Sequence, residues 1–273
     1  MISRSAAVLC LALLLPLAES RTLYAAPAHS PWPGGIAIVD IGSTGEPRPD
    51  VAFADKAVMV MAREGRWFAV VGIPLDTDAE SLTVQVAGDE VSIDLLPREY
   101  REQRLTVKNQ SYVTPGQQQL ERIGAERKII DAALTRFRAT DSDSIALAAP
   151  VSGPRSSSFG LRRFFNEQPR APHKGMDIAA PEGEPIVAPR QGVVSASGDF
   201  FFNGKTVIVD HGQGFVTMYC HLSEIAVENG QVLLAGELLG KVGATGRVTG
   251  PHLHFGTYLN GTAVDPAILL TSP

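Results

Sequence analysis

From Ala149 onward the chain is a succession of short valine-rich runs, each bounded by glycine or proline. They are PIVAP (185–189), GVVSAS (192–197), TVIVDHG (206–212), GFVTMYCHL (214–222) and HLHFGTYL (252–259). Runs of this length pleat into strands joined by tight turns, because glycine and proline supply turn dihedrals that a helix interior rejects. No ten-residue window here sets apolar side chains at helical spacing. Residues 146–273 are therefore expected to form a mostly antiparallel β domain. Any site in it must be assembled from strands and loops.

The first half is β-like in another way. A turn-rich linker, PAHSPWPGG (27–35), leads to IAIVDIG (36–42), AVMVMAR (57–63), RWFAVVGIPL (66–75), SLTVQVAG (81–88) and EVSIDLL (90–96). Apolar Leu82, Val84 and Val86, then Val91, Ile93 and Leu95, alternate with polar residues around Gly88-Asp89, which reads as a hairpin. Short strands at this spacing predict a small β-sandwich over residues 27–110, with no catalytic cluster in it. Residues 111–145 read as a helical connector. Thr114-Pro115-Gly116-Gln117 fits an N-cap, a first-turn proline and a capping-box glutamine. Leu120, Ile123, Ile130, Leu134 and Phe137 fall near one face of a helix at about 115–139, which ATDSDS (139–144) ends.

The opening residues have a different meaning. Arg4 precedes an apolar run from Ala6 to Ala18, too short for the roughly 20 residues of a membrane span, and small residues follow it. Residues 1–26 are thus expected to be a secretory signal peptide cleaved near 20–26. Export to the periplasm or cell envelope, or secretion, is the expected destination, with no membrane span in the product. Loss of the leader takes Cys10 and leaves Cys220 as the single thiol, so no intramolecular disulfide is expected. The net charge of −5 argues against a nucleic-acid partner, which requires a basic face.

Four of the six histidines suggest chemistry. In a strand, residues two apart share a face, so His252 and His254 of GPHLHFG project together while Leu253 points toward the core. The same rule groups Thr217, Tyr219 and His221, with Met218 and Cys220 opposite. In HKGMDIAAPEGEPIVAP, His173 precedes Asp177 by four in a stretch that Gly175, Pro172 and Pro181 keep from being helical. Imidazole nitrogen and carboxylate oxygen bind Zn²⁺, and catalytic zinc keeps about three protein ligands plus water. His173, Asp177 and one of the HxH pair can supply that set, leaving the other histidine and His221 to move protons. Tyr219 is either a groove-lining donor to an oxyanion or a packing residue. His211, Asp210 and the glycines of GATGRVTG read as turn formers, and His29 as an inert linker residue.

These residues bring a resemblance into view. From about Ala149 to Leu270 the chain resembles the lysostaphin/LytM-type zinc metallopeptidases, which cut peptides of bacterial peptidoglycan. The matching segments are SSSFGLR (156–162), HKGMDIAAPEGEPIVAP (173–189), VIVDHGQGFVTMYCHL (207–222) and GATGRVTGPHLHFG (243–256). The N-terminal half resembles the small sandwich preceding this domain in some secreted members. The resemblance implies a mainly β protein with an open groove in its C-terminal metallopeptidase domain. It implies zinc ligands at His173, Asp177 and His254 and catalytic histidines at His221 and His252. The implied activity is hydrolysis of peptidoglycan stem peptides or cross-bridges through a metal-activated water. A non-catalytic activator of another wall hydrolase, or a secreted protease cutting glycine-rich peptides, are the alternatives. FFNEQPRAPH (164–173) departs from the family pattern and leaves the scissile bond, D-Ala–diaminopimelate or Gly-Gly, open. Whether the N-terminal half targets the enzyme or covers its groove is open too.

Overall fold

The computed structural model describes residues 27–141 and 144–271; the expected signal peptide at 1–26 lies outside them. Ahead of the connector, the apolar runs fold into two small antiparallel sheets. One contains Ile36–Ser43, Arg66–Gly72 and Met59–Arg63 in that order. The other contains Lys56–Ala57, Val51–Phe53, Ser81–Val86 and Asp89–Asp94. The hairpin closes with Val86 opposite Asp89. Ala37, Val51, Val60, Val71, Val84 and Ile93 form part of the core shared by the two sheets, as a sandwich requires.

AVMVMAR shows no alternation because its sheet is buried on both faces. Val58 and Val60 face the sandwich interior, whereas Met59 and Met61, with Ile36 and Val70, join the core of the second half. The junction is also hydrogen-bonded. The Gly72 N–H donates to Asn260 Oδ1 (2.7 Å), Asn260 Nδ2 donates back to the Gly72 carbonyl (3.2 Å), and the Val60 N–H donates to Gln213 Oε1 (3.0 Å). A side chain at Gly72 would stand 3.0 Å from the Leu259 carbonyl, so the close approach depends on that glycine.

The second half is built on an eight-stranded sheet. Its path runs Val232–Leu233, Gly192–Phe200, Gly204–Gly212, Phe215–Leu222, Leu253–Leu259, Met176–Ile178 and Arg155–Ser157, with Thr262–Val264 also paired to Leu253–Leu259. Every pairing along it is antiparallel, as the glycine-punctuated runs predict. Val207, Val209, Tyr219, Leu253 and Phe255 fill one core. Ile208, Val216, Met218, Cys220 and Tyr258 fill another, against Ala133 and Leu134 of the connector helix. Cys220 is buried and forms no disulfide among the described residues.

The helix differs from the expectation. It spans Gln117–Leu134, begins at Gly116 without a side-chain cap, and leaves Leu120 50% and Phe137 42% exposed. Its first turns meet the sheet through polar side chains, Arg122 donating to the Asp199 carbonyl (2.9 Å) and Glu126 accepting from the Phe201 N–H (2.8 Å). Only Ala133 and Leu134 of the helix are buried, so Leu120 is left facing solvent. Ahead of it, Glu102–Leu105 crosses to the second half and pairs in parallel with Arg162–Phe165. Among the described residues no helix is long and apolar enough to cross a membrane.

Candidate metal centre

The site begins as a register. Asp177 is paired with His254, and His254 with Cys220, on neighbouring strands. Directly opposed residues share a sheet face, so the carboxylate and the imidazole emerge side by side. His173 comes from the preceding loop, where its N–H donates to the Leu161 carbonyl (3.0 Å) and its own carbonyl accepts from the Gly160 N–H (2.8 Å). Leu253 is buried in the core while His252 and His254 face the cleft. Gly175 completes the arrangement: a Cβ there would lie 2.6 Å from the His254 ring, so only bare backbone lets the loop close over it.

His173 Nε2, Asp177 Oδ1 and His254 Nδ1 form a nearly equilateral triangle. His173 to Asp177 is 3.0 Å, Asp177 to His254 is 2.9 Å, and His173 to His254 is 2.9 Å. The Nδ1 of His173 sits 2.8 Å from the Ser158 carbonyl, which can only accept, so Nδ1 carries the proton and Nε2 is bare in the neutral ring. Burial pushes His173 down to about 4, which keeps that ring neutral in neutral water. A bare nitrogen thus faces a carboxylate oxygen, and only a proton or a cation can sit between them. Zinc bonds of about 2.0–2.2 Å put tetrahedral ligand atoms roughly 3.3–3.6 Å apart. The triangle therefore needs to open only by a few tenths of an ångström, and the donor set fits zinc.

Asp177 is held ionised. Burial opposes its charge, but the imidazoles of His173 and His254 packed against it outweigh burial and keep the carboxyl far below the ordinary range. Its other oxygen, Oδ2, accepts from Arg163 Nη2 at 3.1 Å. Arg163 Nε in turn donates to Gln103 Oε1 (3.0 Å) on the crossing strand. Such outer contacts fix a ligand's orientation.

His221 and His252 stand beside the triangle, their ring centroids 5.0 Å apart, with His221 5.9 Å from His254. His252 Nε2 is 3.8 Å from Asp177 Oδ1. Both rings are fixed the same way: Nδ1 of His221 donates to the Thr245 carbonyl (2.9 Å), and Nδ1 of His252 to the Gly250 carbonyl (2.8 Å). Each neutral ring is left with a bare Nε2. Burial, with His254 and His252 nearby, pushes His221 down to about 3. All of these groups except His173 line a cleft of about 290 Å³, whose walls include Gln103, Leu105 and Arg247.

The expected grouping of Thr217, Tyr219 and His221 on one face fails at a bulge. The pairing slips between Lys205 and Val207, and His221 takes φ +68°. A bulged residue leaves the two-residue alternation, which brings His221 to the imidazole cluster and leaves Tyr219 behind. Tyr219 is fully buried against Phe255, its hydroxyl 2.8 Å from Thr217 Oγ1. The tyrosine proposed as an oxyanion donor is thus a core residue outside the cleft.

Thr217 Oγ1 also meets His211 Nε2 at 2.8 Å, and His211 Nδ1 donates to the Gln191 carbonyl at 2.8 Å. His211 is therefore a buried bridge, not an open turn residue. Asp210 does cap a turn, accepting from the Gly212 N–H (2.7 Å), but it is also a buried partner of Arg138 (3.1 Å). His29 Nδ1 accepts from the Ile38 N–H at 3.0 Å.

Sequence reasoning missed Arg163 and Arg247. Arg163 directly follows the SSSFGLR segment and Arg247 lies inside GATGRVTG. The available signal was an arginine directly after one matched segment and another inside a second, in a chain of net negative charge.

Together these features define a protein whose antiparallel sheet holds a two-histidine, one-aspartate ligand set beside two further imidazoles. The chain belongs to peptidase family M23. Residues 171–266 match the model described as peptidase family M23, and residues 29–94 the model of the peptidase family M23 N-terminal domain. The crystal structure of a Pseudomonas aeruginosa protein assigned to peptidase M23 is 42% identical, with a TM-score of 0.73 over 88% of this chain and 95% of that one. Peptidoglycan DD-endopeptidase ShyA of Vibrio cholerae is 41% identical over 111 residues, which cover 40% of this chain and 26% of that protein. DD-carboxypeptidase/endopeptidase Mpg of Neisseria gonorrhoeae is 40% identical over 119 residues, 43% of this chain and 27% of Mpg. The match thus spans about a quarter of the length of these curated relatives.

Proposed function

We propose that this chain is an exported zinc endopeptidase that hydrolyses peptide cross-links of bacterial peptidoglycan. The observation that carries the reading is the 2.9–3.0 Å triangle of His173, Asp177 and His254, with two tautomer-fixed imidazoles beside it in one cleft. The DD-endopeptidase names of ShyA and Mpg support the substrate class. The leader-like opening residues support export.

His173, Asp177 and His254 would hold the ion. When bound there, zinc supplies a Lewis acid that polarises a peptide carbonyl and brings the pKa of a water to about 7. The protein's own groups do the rest. Arg163 keeps the Asp177 carboxylate turned to its partners. The bare Nε2 atoms of His221 and His252 accept hydrogen bonds from the attacking water, and His252 takes its proton and returns it to the departing amine. The low affinity of His221 for a proton suits it to accepting hydrogen bonds as a neutral ring, and its contact with the Thr245 carbonyl holds Nε2 in position.

Digestion of purified peptidoglycan by the zinc-loaded protein, with mass analysis of the products, tests this. Cross-linked dimers should convert to monomers, and a chelator should stop the conversion. Intact dimers after prolonged digestion by protein with stoichiometric zinc would overturn the reading.

A further inference from the structure

Arg247 is the one cation of the cleft whose charge is not answered. Arg163, the other, donates to the Asp177 carboxylate at 3.1 Å. Arg247 is partly buried, its guanidinium 4.3 Å from the Phe202 ring centroid and 4.7 Å from that of Phe165. Its single hydrogen bond from the side chain is a long one, 3.4 Å, to the Tyr112 carbonyl, and no carboxylate pairs with it among the described residues. Burial and the nearby Arg163 and Arg170 lower its pKa to about 10. Withdrawing an unpaired cation from water is costly, and clustering it with like charges adds to that cost. Aromatic faces offset part of it and hold the planar fork in one orientation. A rigid, unanswered guanidinium in the wall of a substrate cleft is a place for an anion.

We propose that Arg247 is a substrate-binding residue that takes a carboxylate of the peptide, carried by a residue flanking the scissile amide. This rests on the endopeptidase reading above and names its substrate class. Arg247 shares a cleft of only about 290 Å³ with His221, His252 and His254, so an anion reaching it belongs to the residues next to the bond being cut. A guanidinium binds a carboxylate through two parallel N–H donors. A D-alanyl–diaminopimelate cross-link carries a free carboxylate on the carbon bearing the scissile nitrogen. An internal Gly-Gly bond carries none. Arg247 therefore separates the two bonds that the sequence left open, in favour of the first.

The test uses the full-length zinc-loaded protein and two purified muropeptide dimers, one with free diaminopimelate carboxyls and one with those carboxyls amidated. Cleavage and equilibrium binding are both measured. The free-acid dimer should be favoured by about 10- to 100-fold, the span of a charged hydrogen bond. Arg247→Gln should collapse that ratio toward one, chiefly by loss on the free-acid dimer, and Arg247→Lys should restore part of it. Equal affinity of the wild-type protein for the two dimers overturns the assignment, whether or not the variants fold. A proportional fall on both dimers in Arg247→Gln overturns it as well. If neither dimer is cut but the free-acid form binds tighter in an Arg247-dependent way, the subsite stands and the endopeptidase reading falls.

Discussion

The two halves of this molecule are both β with apolar cores, and they differ in the polar residues they bury. Among the described residues, Ser30 is the one buried polar side chain of the first half, whereas Ser157, His173, Asp177, Asp210, His211, Thr217 and Asn260 all lie in the second. The ion pair beside the candidate centre is buried, unlike the exposed pairs Arg66–Asp40 and Lys241–Glu224. Arg66 and Asp40 pair at 2.6 Å with side chains 50% and 42% exposed, while Arg163 and Asp177 pair at 3.1 Å with 17% and 10%. A buried polar group is costly unless it is satisfied, so a fold keeps one where it does something. In the second half some hold the candidate centre, and Asn260 and Gln213 clasp the other half. The sandwich is an apolar scaffold that reaches the cleft through one strand, Glu102–Leu105.

That contrast can be broken at several points. The largest effect belongs to the ligands. Asp177→Ala or His254→Ala should abolish stoichiometric zinc and lower kcat/KM by at least about a thousandfold, as metal analysis and muropeptide assays would show. Retained zinc in either variant would remove the residue from the ligand set. Next come His221→Ala and His252→Ala, which should keep zinc and lose about 10²- to 10⁴-fold in turnover; wild-type turnover in either would end its catalytic assignment.

His211 gives the contrast a pH signature. Burial pushes its pKa down to about 4 from 6.5, so between those values the unfolded chain binds a proton that the folded chain refuses. Stability then rises with pH across that window and is lost on acidification from about 6.5 to 4, by on the order of 3 kcal/mol. His211→Gln, measured by denaturant unfolding at saturating zinc, should flatten this slope by up to one proton. An unchanged slope would assign the acid sensitivity elsewhere.

The sandwich should respond only through stability. Val71→Ala removes two methyl groups from its core and should cost about 2 kcal/mol with zinc content and kcat unchanged at temperatures where it stays folded. A fall in kcat in the folded variant would show that the two halves are coupled. Asp40→Ala, at an exposed pair, should cost less than about 1 kcal/mol and alter neither readout; a larger loss would mean that surface pairs do support the scaffold.

Much of the site was legible because its signals are local. The period of two in HLH put two imidazoles on one side of a strand with no knowledge of what lay opposite. Glycine and proline excluded a helix around His173. The connector helix was less legible, since spacing alone could not tell that Leu120 faces solvent while Ala133, Leu134 and Ile130 pack on the sheet. His221 and Tyr219 mark where local reasoning stops. Alternation groups them, and a bulge that depends on pairing with Lys205 and Val207 separates them.

The amino-acid order alone determined the strands, the mostly β character of the second half, the shared face of His252 and His254, and the burial of Cys220, for each follows from backbone period and turn chemistry within a few residues. Tertiary structure decided the rest. It brought His173 Nε2 to 2.9 Å from His254 Nδ1 across 81 positions, turned His221 toward them, set Arg163 on Asp177, and left Arg247 between two aromatic rings without a counter-charge. Those outcomes are contacts between distant segments, and a contact of that kind exists only once the sheet has fixed its register.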